Sequence, residues 1–410
     1  MGHPRVLFAS YHCYLDPTGG AAASTRDLLE LLAGQGWACG ACCGPRLDAD
    51  PAAAAAAFRD LVAGAETVVG GVGRLGYTAH SLVRNGVPVT VFAPGPPDPV
   101  RFPSAEEAAA FVGLLDRVAR AFRPDVVVTY GGDPASTGAA ARARALGLRV
   151  VFTLRNFEYT VADPFRHCSA VVVPSDTAAR HYRAALGLDC AVVPGPIRWD
   201  RVRCDAHDPR FLTFVNPEPV KGVFWFARVA RELGGRRPDI PILVVEGRGR
   251  VDWLGRCGLD LSGVGSVHRM RNTPDPRAFY RVSRVMLMPS LWRESFGRVP
   301  VEAAINGIPA IASTRGALPE SLAGGGFLLD IPAEFTPATR VPPGGADVAE
   351  WVALVERLWD DPDFYAAAAA AARAAAGRWH PDALVPRWAE VLAPRPGPPA
   401  ADASVLPRGN

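Results

Sequence analysis

Two glutamates eight positions apart, Glu294 and Glu302, bracket a stretch built to receive an anion. The apolar strand Val285-Met286-Leu287-Met288 runs into this stretch, and an apolar segment from Val301 to Ile305, read as a buried helix, runs out of it. Pro300 suits the first helical turn, where its missing N–H is not needed. The amides of Ser295, Phe296 and Gly297 then fall at the helix N-terminus. Free N–H groups and the positive end of the helix dipole attract an anion there, phosphate above all. Gly297 lets a ligand come close to the backbone. Carboxylates accept hydrogen bonds, and vicinal sugar hydroxyls donate them. A phosphate site between two hydroxyl acceptors suits the ribose, diphosphate and hexose of a nucleotide-sugar. The competing reading is two solvated glutamates near a helix start. Asn306-Gly307 and the following apolar run weigh against it, because they place the motif in a strand–loop–helix–strand unit.

Further polar groups sit where strands give way to helices. Lys221, in Asn216-Pro217-Glu218-Pro219-Val220-Lys221-Gly222, follows the apolar run Phe211–Val215, a position that suits phosphate by charge and place. Gly19 and Gly20 lie between the first strand, Val6–Tyr11, and a helix expected over Arg26–Leu32, and a glycine pair there admits a ligand. Strand Val150–Leu154 ends in Arg155 and Asn156. His12, Asp16, His80, Asp133 and Glu158 are candidate bases by position only.

The chain that must position these groups alternates apolar strands with helical segments. Asp125–Tyr130 is a continuous apolar run of the kind buried on both faces of a parallel sheet. Ser104 caps a helix to Phe122, with Glu106 and Glu107 in its first turn. At 410 residues two domains are the default, and Pro194-Gly195-Pro196 breaks the repeated pattern where a linker is expected. The fold expected is α/β, and the family resemblance carried by the Glu294–Glu302 motif implies two Rossmann-like doubly wound domains facing each other. The first covers residues 1–195 and the second 196–380. A helix over 381–393 crosses back, and a proline-rich, disordered tail covers 394–410.

Glu294-Ser295-Phe296-Gly297-Arg298, with Glu302 eight positions after Glu294, resembles the E-x7-E motif of the family 4 retaining glycosyltransferases, which have the GT-B fold. That resemblance implies transfer of a hexosyl unit from a nucleotide-sugar, with a UDP-sugar expected, to a small-molecule or saccharide acceptor. It makes Lys221 and Glu294 the catalytic groups. It assigns the donor to Gly19, Gly20, Ser295, Phe296, Gly297 and Glu302, and the base to backbone near Arg269 and Met270. Lys221-Gly222 matches the family's Lys-Gly, but Asn216 stands where the family carries an arginine. Arg248 is the expected substitute by its place in the sheet. Arg155 and Asn156 stand on the acceptor side, where many members have a histidine.

Other function classes find less support. The net charge of +3 implies no nucleic-acid footprint. No apolar stretch reaches the roughly 20 residues of a membrane span, and a cytoplasmic enzyme is expected. Cys39, Cys42 and Cys43 read as buried reduced thiols in a second strand over Trp37–Cys43, and no Asp-x-Asp metal motif lies near the site, so neither metal nor cofactor is expected. Gly71-Val72-Gly73-Arg74-Leu75-Gly76, read as a turn into a helix over Tyr77–Arg84, matches G-x-G-x-x-G. A NAD(P)-dependent oxidoreductase would use it, but strand Val87–Phe92 ends without the acid that holds a ribose. An NDP-sugar epimerase on the same scaffold would need an acid–base pair that the sequence does not identify. A catalytically silent binding protein is the reading that Asn216 favours.

Overall fold

The computed structural model describes residues 3–394 apart from 49–50, 74, 96–97, 263 and 265–266. Two sheets account for the strands. The nine-stranded sheet runs, in spatial order, Glu66–Val72, Leu75–Arg84, Val87–Pro94, Cys39–Arg46, Val6–His12, Val126–Thr129, Arg149–Thr153, Ala170–Val173 and Cys190–Val192. From Val87–Pro94 onward its strands are parallel. The six-stranded sheet runs Val267–Met270, Ile242–Val245, Phe211–Val215, Ser283–Met288, Ala310–Ser313 and Phe327–Leu329, all parallel.

Local chemistry fits these elements. Residues Val126–Thr129 are buried throughout, as a parallel strand covered by helices on both faces requires. Ser104 caps helix Ala105–Phe122 and forms a capping box with Glu107. Asp133 caps helix Pro134–Ala145, accepting from the amides of Ala135 and Ser136. Cys39, Cys42 and Cys43 are buried within strand Cys39–Arg46, and burial pushes the Cys39 and Cys42 thiols up to about 12.

Four readings of the sequence need correction. The helix expected over Tyr77–Arg84 is the strand Leu75–Arg84, which forms an antiparallel hairpin with Glu66–Val72 and pairs with Val87–Pro94 on its other side. Tyr77 and Ala79 are buried and their neighbours are not, which is the two-residue period of a strand. The glycines from Gly71 to Gly76 therefore shape the hairpin tip, and Arg74 lies outside the described residues. The first helix begins at Gly20, not Arg26, because Ala21–Ala23 are helix formers and carry it back to the glycine pair. The backbone near Arg269 and Met270, expected to hold the base, lies within the strand Val267–Met270. The second strand is Cys39–Arg46, not Trp37–Cys43.

The last helix, Pro381–Leu392, leaves the second sheet and packs on the first. Val385, Trp388 and Leu392 join the core beside Phe8, Val151 and Tyr182. Trp388 Nε1 donates to the Pro194 carbonyl at 2.8 Å, and Arg387 donates to the Val192 carbonyl at 2.6 Å. Residues 395–410, where the disordered tail is expected, lie outside the described residues. Removing the fully buried Trp388 ring leaves a cavity and an unpaired carbonyl. Trp388→Ala is expected to destabilise the chain by about 3–5 kcal/mol, read as a lower urea midpoint. An unchanged midpoint contradicts this docking.

Candidate active site in the interdomain cleft

Each parallel sheet changes its direction of winding at one place. In the first sheet this lies between Val6–His12 and Val126–Thr129, and in the second between Phe211–Val215 and Ser283–Met288. Ligands of such sheets bind beyond the carboxyl ends of the strands at these points. Here both points open on a single cleft of about 1130 Å³. Gly19, Gly20, Arg155 and Asn156 line it from the first sheet, and Lys221, Arg248, Glu294, Ser295, Phe296, Gly297 and Glu302 from the second.

The floor is a cation paired with a carboxylate. Lys221 Nζ lies 2.5 Å from Glu294 Oε1, which also accepts from Ser290 Oγ at 3.0 Å. Two loops bring them together. Lys221 ends a short 3-10 turn, and Gly222 takes φ +82°, where a Cβ would stand 1.8 Å from the Pro289 carbonyl oxygen. Only glycine fits there. The Val220 carbonyl accepts from the amides of Leu291 and Trp292, tying the lysine turn to the loop that carries Glu294. Gly316 closes the other side at φ +64°, and the neighbouring Ala317 amide donates to the Glu294 carbonyl. Lys221 is also the single lysine of the chain, against 43 arginines out of 44 basic residues. That signal was open to sequence reading in full.

Beyond Glu294 the chain turns into helix Arg298–Ile305, capped by Gly297 at φ +91°. Among the described residues, the amides of Ser295, Phe296 and Gly297 have no hydrogen-bond partner. Phe296 fixes this loop by packing edge-on against Trp379, ring centres 5.1 Å apart. Glu302 is 8% exposed, and both its oxygens are engaged: Oε2 accepts from Tyr280 at 2.9 Å and Oε1 from Arg298 at 3.1 Å. Arg298 also reaches the first domain, with Nη2 2.7 Å from Asp27 Oδ2. Burial opposes the Arg298 charge, but Asp27 and Glu302 outweigh it and raise the pKa.

The remaining expected residues are placed as follows. Asn216, at φ +62°, accepts from the Gly249 amide at 2.7 Å and donates to Glu218 at 2.8 Å, so it serves the loop and offers no positive charge. Arg248 lines the cleft, half-exposed, 3.8 Å from Glu218. Arg269 and Met270 do not line it. Arg269 pairs with Glu246 at 2.9 Å in a smaller adjoining pocket, and the Met270 carbonyl accepts from the Glu246 amide. Because the strand ends at Met270, the first residue beyond it to reach the cleft is Asn272. On the first-domain wall His12 contacts Arg46 and lies 3.8 Å from Asp133. Burial, then Arg46, hold the His12 pKa below its ordinary value. Sequence reasoning missed Arg46 and the bridging role of Arg298, whose partners lie 34 and 271 positions away, and Asn272, which follows the end of its strand by two residues.

Two family models match the chain. Residues 69–201 match Glycosyltransferase Family 4, and residues 208–361 match Glycosyl transferases group 1. Among curated relatives, D-inositol 3-phosphate glycosyltransferase of Arthrobacter sp. (strain FB24) is 32% identical over 151 residues, covering 35% of this chain. Phosphatidyl-myo-inositol mannosyltransferase of Mycolicibacterium smegmatis is 32% identical over 162 residues, covering 38%. The chain spans only 32% and 42% of the length of these two relatives. Among solved structures, HepE of Anabaena in complex with UDP and glucose superposes with a TM-score of 0.68 at 18% identity, covering 95% of this chain and 99% of that one. The fold, the facing sheets and the two family matches agree: the chain belongs to the glycosyltransferases of GT-B fold, with a family 4 domain on its first sheet and a group 1 domain on its second.

Proposed function

We propose that the chain transfers a hexosyl unit from a nucleotide-sugar, a UDP-sugar, to a hydroxyl of a small-molecule or saccharide acceptor, with retention at the anomeric carbon and without a metal ion. The observation that carries this reading is the Lys221–Glu294 pair beside the unpaired Ser295–Gly297 amides at the floor of the cleft. A diphosphate brings negative charge that both the lysine and the amides can meet. Once a phosphoryl oxygen draws Lys221, Glu294 is free to accept from sugar hydroxyls. Glu302 faces the ribose, and Gly19 and Gly20 allow the donor close to the first domain. Arg248 adds charge beside the turn where Asn216 adds none.

Catalysis is then positioning and charge stabilisation of the leaving diphosphate. In the retaining route the leaving phosphate accepts the acceptor's proton on the same face, so no enzymatic base is needed. His12, depressed by burial and Arg46, does not have to serve as one. Arg155 and Asn156 face the acceptor. The names of the two relatives, an inositol phosphate and a phosphatidylinositol enzyme, favour a polyol as that acceptor. The oxidoreductase reading loses its footing, because Gly71–Gly76 is a hairpin tip, not a strand-to-helix turn.

Lys221→Ala is expected to lower turnover by a factor of about 100 or more while leaving the fold intact, as loss of an oxyanion-type donor does. Turnover within a few-fold of wild type contradicts the assignment. As the only lysine it also has the only ε-amine, and UDP is expected to protect it from acylation, read by mass spectrometry.

Stereochemistry and metal use are tested together. With an α-linked UDP-sugar and excess EDTA, free UDP and an α-linked product are expected. A β-linkage in the NMR coupling constant overturns retention. Loss of activity restored by magnesium or manganese overturns metal independence.

A further inference from the structure

The first-domain wall of the cleft holds a buried guanidinium with unpartnered nitrogens. Among the described residues, Arg155 Nε and Nη2 are buried without any hydrogen-bond partner. The guanidinium and Ser24, on the helix that follows Gly19, both crowd Gly195 of the linker. A Cβ on residue 195 would stand 2.8 Å from Arg155 Nη1 and 2.9 Å from Ser24 Cβ, so the glycine makes room for it. The carboxylate nearest in influence, Asp27, is already paired with Arg298 at 2.7 Å, and Arg298 is itself a like charge acting on Arg155. Burial pushes the Arg155 pKa down to about 10, which still leaves it charged at neutral pH.

A buried charged group without a partner is disfavoured, and removal of a partner from such a group is strongly so. An arginine kept this way in a cleft wall is a group waiting for a counter-charge. Its position says which one. The Arg155 carbonyl accepts from Ser295 Oγ at 2.5 Å, so the residue abuts the loop whose amides are free. A guanidinium presents a planar fork that matches a phosphoryl group.

We propose that Arg155 binds a phosphoryl group in the closed cleft, supplying from the first domain the positive charge that Asn216 does not supply from the second. The proposal rests on the glycosyl-transfer reading for the identity of the phosphoryl group, which has two sources: the diphosphate of the donor or a phosphate carried by the acceptor. Of the arginines lining the cleft, Arg298 is held by Asp27 and Glu302 and Arg46 contacts His12, whereas Arg155 keeps two nitrogens without a hydrogen-bond partner among the described residues.

Calorimetric titration of wild type and Arg155→Met with UDP, with uridine, and with inorganic phosphate added to the UDP complex decides the matter. If the donor is the source, the methionine variant binds UDP at least tenfold more weakly and uridine unchanged. If the acceptor is the source, UDP affinity holds, and affinity for inorganic phosphate falls at least tenfold. A structural role alone would not separate UDP from uridine. Unchanged affinity for both UDP and phosphate overturns the proposal. Should Arg155→Met fail to fold, Arg155→Lys keeps the charge and loses the fork. Partial loss on the same ligand then supports the proposal, and wild-type affinity on both overturns it. A wild type that binds no UDP defeats the donor reading, and titration of inorganic phosphate into the free protein still decides Arg155.

Discussion

The Lys221–Glu294 pair, with Nζ and Oε1 2.5 Å apart, is the interaction around which the rest of the site is arranged. It is only partly shielded from water, with the lysine side chain 24% and the glutamate 14% exposed. Water still reaches both groups, so either can be exchanged for a better partner. A diphosphate is a better partner for the lysine, because it carries more charge and also engages the neighbouring amides. In the function proposed, the pair holds both groups in place until a diphosphate draws the lysine away. The surrounding backbone is shaped to permit this. Gly222 and Gly316 take left-handed conformations within contact of Pro289 and Glu294, and Val220 binds the Glu294 loop directly.

The two domains meet through polar contacts placed on the same loops. Ser175 Oγ donates to the Ser295 carbonyl at 2.7 Å, and Glu320 accepts from the amides of Asp176 and Thr177 at the start of helix Asp176–Leu186. Arg298 joins Asp27 of the first domain to Glu302 of the second. Glu302 and the ion pair between the two domains thus share one guanidinium. The last helix, held by Trp388 on Pro194, adds a covalent return to the first domain.

Much of this was legible in the sequence where the signal was local. Continuous apolar runs marked the parallel strands, and the polar residues just after them marked the cleft, since strand ends and ligand sites coincide in this architecture. Eleven expected residues, from Gly19 to Glu302, line one cleft for that reason. The failures are equally physical. The strand Leu75–Arg84 was hidden because its pairing partner, Val87–Pro94, gives it meaning, and its own glycines imitate a dinucleotide loop. Arg269 and Met270 missed the cleft because the strand runs on through both of them, so its exit lies beyond Met270. The partner of Arg298 lies 271 positions away, and no spacing rule reaches that far. Lys221 as the single lysine was available as evidence in the composition itself.

A crystal structure with UDP bound tests the central claim most directly. The account predicts the diphosphate within about 3 Å of the amides of Ser295, Phe296 and Gly297. Lys221 Nζ should have turned from Glu294 Oε1 to a phosphoryl oxygen, and Glu294 should point into the space where the sugar would lie. A diphosphate seated elsewhere in the molecule, with the Lys221–Glu294 pair intact, would contradict it.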